Sequence, residues 1–220
     1  SIKRGDLQER KTDKGDFYFY SFKVNAQSLS NILSRIFTEI IQEFSWPKSM
    51  FWGDNYSLKW VRPLRGIVAI LFENEKRERI PLNVRDIKSD IVTRAHQVMH
   101  PEFFEFNSID DYQDKLLKGK VILKPEDRKM RVLQEGKKLA KAKGFYLVED
   151  DALLEEIVGL TEFPTPILGE IPKELLSIPE EVIITSMKEH QKFISLRSSD
   201  NGRVEGFLVA ADLQTHDQQK

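Results

Sequence analysis

The chain has 220 residues, 40% hydrophobic and 31% charged, with a net charge of −1 and no cysteine. That is enough to bury a core in one domain or two small ones, and it excludes disulfides and cysteine-ligated metals, in keeping with a reducing compartment. No apolar run reaches the ~20 residues of a membrane span, the polar N-terminus SIKRGDLQERKTDKGD is not a signal peptide, and any nucleic-acid role must rest on a local basic patch.

The opening at Ser1 without Met, and the stop soon after an apolar strand, read as an excised piece of a longer protein. FYFYSFKV (Phe17 to Val24) has strong strand propensity. Leu29, Ile32, Leu33, Ile36, Phe37, Ile40, Ile41 and Phe44 recur at steps of three and four, which predicts a helix stopped by Pro47. GIVAILF (Gly66 to Phe72) predicts a buried strand, and Arg77 to Val84 its neighbour across a turn at Glu73 to Lys76. Asp90 to Pro101 also reads as strand.

Ser108 caps the next predicted helix, with Asp110 and Asp111 in its first turn and Gly119 as its stop. Pro125 opens another, rich in lysine and closed by Gly144. EDDALLEEIVGLTEF predicts a third, ended by Pro164. Then come a strand over TPILGEI, a helix over PEEVIITSMKEHQ, and a hairpin turning at Asn201-Gly202, with strand taking over near Lys192. The class is α+β, with mixed or antiparallel sheets and packed helices. The expected organisation is an α+β part over 1–107, a helical insert over 108–163, and a strand–helix–hairpin over 164–220 that completes the same module.

Charge is segregated along the chain. Residues 115–143 hold 11 Lys/Arg against 3 Asp/Glu, a balance of +8; residues 144–181 hold 10 Asp/Glu against one Lys, a balance of −9. Solvated faces that partly neutralise one another would explain this, and so would a basic helix that touches RNA phosphate.

Catalytic signatures are sparse. Phosphate-binding loops and the G-x-S-x-G elbow are missing from the sequence. His96 and His100 have an i, i+4 spacing without the glutamate of a zinc-protease helix, and a strand would hold them about 13 Å apart. His216-Asp217 lies in a polar tail. His190, between Lys188 and Lys192, has no associated nucleophile. No catalytic, cofactor-binding or metal-binding residue is therefore assigned.

The order of motifs is more specific than any one of them. WPKSMFWGD (Trp46 to Asp54), WVRPLRGIVAILF (Trp60 to Phe72), IKSDIVTRAHQ (Ile87 to Gln97), LLEEIVGLTEFPTPILGEI (Leu153 to Ile171) and PEEVIITSMKEHQKFISLRSSDNG (Pro179 to Gly202) follow one another. Together they resemble the β subunit of the bacterial heterotetrameric glycyl-tRNA synthetase over essentially the whole chain. The sequence departs from that family at Phe51, where Arg is usual, and at Ala95 and Gln97, where Gly and Arg are common.

The resemblance implies part of a cytoplasmic α2β2 ligase that joins glycine to tRNA(Gly) at the expense of ATP. ATP and Mg would bind the α subunit, and the β subunit would bind tRNA and scaffold the assembly. The chain would come from the N-terminal half of that subunit, before its HD-like and anticodon-binding regions. It would resemble the B3/B4-type module of the phenylalanyl-tRNA synthetase β subunit, which hydrolyses mischarged tRNA. On this reading the residues expected to meet RNA are Arg62, Arg65, Arg94, His96, Lys137, Lys138, Lys141, Lys188, His190 and Lys192. Two other functions stay open: an editing-type hydrolase pocket, for which glycine's small size leaves little pressure, and a domain that contacts only the α subunit.

Overall fold

The computed structural model describes residues 7–23, 25–52, 58–73, 76–200 and 202–213. The chain forms two compact units, residues 1–71 with 78–89, and residues 72–77 with 90–220. Small antiparallel sheets and helices make up both, so the class is α+β.

In the first unit, β1 (Gln8–Thr12) and β2 (Gly15–Phe19) form a hairpin in which Gly15 adopts φ +118°. The strand predicted over Phe17 to Val24 stops at Phe19, where its partner runs out at Gln8; Val24 lies outside the described residues. Helix α1 (Leu29–Glu43) starts where Ser28 Oγ accepts the Asn31 N–H at 3.3 Å. Ser34 Oγ donates to the Pro81 carbonyl at 2.6 Å. Many apolar residues of α1, among them Ile36, Phe37 and Ile40, remain exposed, as do Phe17 to Tyr20 of the hairpin.

Strands β3 (Met50–Trp52) and β4 (Leu58–Trp60) pair, and the Trp52 indole donates to the Trp60 carbonyl at 2.9 Å. The buried strand predicted over Gly66 to Phe72 is instead two short, half-buried or exposed strands, β5 (Ile67–Val68) and β6 (Ile70–Glu73). Ala69 separates them, and its carbonyl accepts from Ile80 at 2.9 Å rather than from a continuous ladder. Strand β6 pairs with β7 (Lys76–Arg79). Strands β5, β9 (Ile87–Asp90) and β8 (Asn83–Val84) form a three-stranded sheet in that order. Buried Ser89 fastens it: its Oγ donates to the Ile80 carbonyl at 2.6 Å and accepts the Leu82 N–H at 2.9 Å.

In the second unit, β10 (Val92–Arg94) pairs with β11 (Phe103–Glu105). The strand predicted through Pro101 breaks after Arg94. Residues 95–100 form a turn instead, because His96 Nδ1 accepts the N–H groups of Val98 (3.3 Å) and Met99 (3.1 Å). Helix α2 (Ile109–Lys118) has the predicted cap, Ser108 Oγ accepting from Asp111 at 3.1 Å, and stops at Gly119. A side chain at 119 would overlap Ala95 Cβ.

Helix α3 (Pro125–Ala142), β12 (Tyr146–Leu147), α4 (Asp151–Leu160), β13 (Thr165–Glu170), α5 (Glu180–Thr185), β14 (Ile194–Arg197) and β15 (Val204–Ala211) complete the unit. The sheet order is β12-β14-β15-β13, all antiparallel. Val132 and Ala140 of α3 and Leu153, Leu154 and Ile157 of α4 pack with Ile194, Leu196 and Leu208 of the sheet. Gly136 lets α3 approach closely: a Cβ there would lie 2.6 Å from Leu208 and 3.1 Å from Leu147.

Successive residues of β15 point to opposite faces, so Leu208 joins this core while Phe207 stacks on Phe193 at 4.8 Å beside Ile171, Met187 and Val204. Helix α4 ends at Leu160, four residues before the predicted Pro164 stop, because Thr161 turns extended. The helix predicted over PEEVIITSMKEHQ changes pitch: α5 gives way to a π-helical turn over Ser186–Gln191. Lys192 then takes a left-handed φ of +57°, so the strand begins at Ile194. The hairpin of β14 and β15 stands as expected; Asn201 lies outside the described residues.

Candidate nucleic-acid interface

Helix α3 carries the basic run. Pro125 opens it, Glu126 and Asp127 fill the positive first turn, and Lys141 lies in the negative last turn. A Schellman motif ends it: Phe145 N–H donates to Ala140 O at 2.8 Å, Gly144 N–H to Lys141 O at 3.2 Å, and Gly144 takes φ +77°. Burial of Val132, Gly136 and Ala140 turns Lys137, Lys138 and Lys141 outward.

The acidic run pairs with two lysines of the basic one. Lys129 bridges Asp151 (3.2 Å) and Glu155 (2.9 Å), and Lys137 bridges Glu149 at 2.6 Å. Hydrogen bonds that Lys129 donates to Glu155 and then to Asp151 raise its ammonium above its ordinary pKa. Lys138, Lys141 and Lys143 are exposed and form no ion pair among the described residues. A cleft of about 400 Å³ opens at the end of α3, lined by Lys137, Lys141, Phe145, Tyr146 and Asp200. Tyr146 is 54% exposed. The sequence reading did not single it out, although an aromatic residue two positions after the glycine stop of a lysine-rich helix was a usable signal.

The cluster around the π-helical turn is differently employed. Lys188 Nζ stands 2.5 Å from Asp150 Oδ2, and Lys192 Nζ 2.6 Å from Glu156 Oε2. Asp150 also caps α4 by accepting the Leu153 N–H at 3.0 Å. The Lys188 bond, then the Leu153 bond, holds the Asp150 carboxyl below the usual carboxylate range, and Asp150 in turn raises Lys188. His190 is exposed between the two clamped lysines.

Arg94 and His96, in the same unit as α3, are engaged by neighbours within the fold. Arg94 is half-buried, with its guanidinium 5.5 Å above the Phe103 ring. His96 is 4% exposed; its Nδ1 closes the local turn and its Nε2 lies 3.5 Å from Asp212 Oδ2. Arg62 and Arg65 are exposed and belong to the first unit. Among the described residues no three His, Cys, Asp or Glu groups converge as metal ligands, and no helix is long and apolar enough to cross a membrane.

Other motif residues hold the fold. Asp212 Oδ1 accepts from Glu162 (2.7 Å) and Phe163 (2.9 Å), fixing the start of the EFPTP segment. Arg131 and Lys120 each lie over the Phe163 ring, 4.3 Å and 4.9 Å from its centroid. Arg128 donates to the carbonyls of Ile122, Leu123 and Val158.

Known proteins share this sequence over nearly its full length. The family model described as glycyl-tRNA synthetase beta subunit matches residues 1–220. The glycine–tRNA ligase beta subunit of Paracoccus denitrificans is 38% identical over 216 residues, covering 98% of this chain and 31% of the relative. That of Dinoroseobacter shibae is 39% identical over 214 residues, covering 97% and 30%. That of Rickettsia africae is 38% identical over 196 residues, covering 89% and 29%. This chain thus spans just under a third of the length of these relatives. It belongs to the glycyl-tRNA synthetase beta subunit family.

Proposed function

We propose that this chain serves a glycine–tRNA ligase by holding tRNA(Gly) and scaffolding the assembly, with the outer face of α3 meeting RNA phosphate. One observation carries the reading: Lys138, Lys141 and Lys143 remain exposed without ion pairs among the described residues, while neighbouring Lys129 and Lys137 are matched to carboxylates. Unmatched ammonium groups are the ones that release counterions from a nucleic acid. Arg62, Arg65 and His190, also exposed, are secondary contacts in this proposal. Lys188 and Lys192 act first as clamps on α4, and His96 and Arg94 as internal supports.

The family membership supports an α2β2 enzyme of the cytoplasm in which glycine activation, with ATP and Mg, belongs to the α subunit. The antiparallel sheet backed by helices is compatible with kinship to the B3/B4-type module of phenylalanyl-tRNA synthetase.

The test is the affinity of the α2β2 enzyme for tRNA(Gly) with Lys138→Glu, Lys141→Glu and Lys143→Glu combined. Affinity should fall by about tenfold or more. Unchanged affinity would remove α3 from the RNA interface and favour a protein-contact role. Release of free amino acid from mischarged tRNA, lost in the same variant, would favour an editing role.

A further inference from the structure

The cleft at the end of α3 combines two chemistries that seldom serve the same purpose by accident. Lys141 and Lys137, the latter paired with Glu149, line it together with Tyr146, which follows the Schellman turn at Gly144 by two residues. Tyr146 sits on β12, where its backbone pairs with Arg197, so the ring is held on a sheet rather than on a free loop. It is 54% exposed, and its neighbour Leu147 packs on the core, so the tyrosine ring adds little to folding. An exposed ring beside cations is the arrangement that stacks an unpaired base while the adjacent backbone is neutralised. The volume, about 400 Å³, lies within the ~300–1,000 Å³ typical of small-ligand clefts. Asp200 places a hydrogen-bond acceptor at the rim, suited to an amino group on a base edge and not to phosphate.

We propose that Tyr146 stacks an unpaired nucleotide base of the bound RNA in this cleft, with Lys141 neutralising the adjoining phosphate. The inference rests on the proposed role of α3 in tRNA binding. It adds a residue and a structural class of target, a base splayed out of a helix.

The experiment uses the α2β2 enzyme and two RNA probes, tRNA(Gly) and a blunt duplex without unpaired bases. Tyr146→Ala should weaken tRNA binding about tenfold without changing its salt dependence, and should leave the duplex affinity alone. Tyr146→Phe should bind tRNA within about twofold of wild type, because the ring is retained. Tyr146→Trp should also bind, and the indole introduced at position 146 should lose emission when tRNA is added but not when the duplex is added. Wild-type affinity in Tyr146→Ala, or unchanged emission from that indole on tRNA, would overturn the stacking role. If the lysine variants of α3 still weaken binding in that case, only the stacking inference falls. If they too are silent, the α3 interface falls with it.

Discussion

Lys188 and Asp150 form a 2.5 Å ion pair that joins the π-helical turn to the cap of α4. The pair ties one side of the TSMKEHQ segment to α4. Its inner side supplies Met187 to the apolar cluster, and its lysine reaches across to a carboxylate that already holds a helix N-terminus.

Asp150→Ala removes both the cap and the ion-pair partner. It should destabilise the β subunit by about 1 kcal/mol through the lost cap alone, read as a lower urea midpoint with an unchanged m-value.

The pH dependence of this pair follows from the two shifts. The Asp150 carboxyl is held below its ordinary 3.8, so its contribution is complete above that pH and is lost as pH falls through the lowered value. The Lys188 ammonium is raised above its ordinary 10.5, so its contribution is complete below that pH and is lost as pH rises through the raised value. The stability difference between wild type and Lys188→Met should therefore be flat through the neutral range and shrink at both extremes. Denaturant titrations across pH check this; a difference that changes between pH 6 and 8, values chosen for roughly neutral sampling, would contradict it.

Gly119→Ala should cost about 1–3 kcal/mol by overpacking, because the new methyl meets Ala95 Cβ and lies 3.2 Å from the Lys115 carbonyl. Ala95→Gly in the same protein should recover most of the loss. Thermal melts of the single and double variants measure both effects.

Asp212→Ala should destabilise by about 1–3 kcal/mol, since the N–H groups of Glu162 and Phe163 lose their acceptor. Asp212→Asn, which keeps a carbonyl oxygen, should lose less. Chemical denaturation of the two variants compares them directly.

Much of the fold was legible wherever local chemistry decided it. Ser108, Gly119, Pro125 and Gly144 mark helix ends because a capping hydroxyl, proline and glycine, of which only Gly144 takes a positive φ, act within a few residues. The failures occur where a distant partner decides. The Gly66 to Phe72 run is uniformly apolar, yet Ala69 breaks it by accepting from Ile80. The Asp90 to Pro101 run reads as strand, yet the His96 ring folds its second half into a turn, and Asp212, far along the chain, lies against that ring.

The same limit applies to the candidate site. Charge segregation between residues 115–143 and 144–181 is plain in the sequence, but which lysines are spent on Glu149, Asp150, Glu155 and Glu156 depends on packing. Only in three dimensions do Lys138 and Lys141 stand apart from Lys188 and Lys192.

The most direct measurement is the salt dependence of tRNA(Gly) binding by the proposed α2β2 enzyme carrying Lys138→Gln and Lys141→Gln. Each lost phosphate contact should make the slope of log affinity against log salt shallower by about 0.7–0.9, whereas Lys188→Gln should leave the slope near wild type. An unchanged slope in the Lys138→Gln and Lys141→Gln enzyme would contradict the claim that α3 meets RNA phosphate.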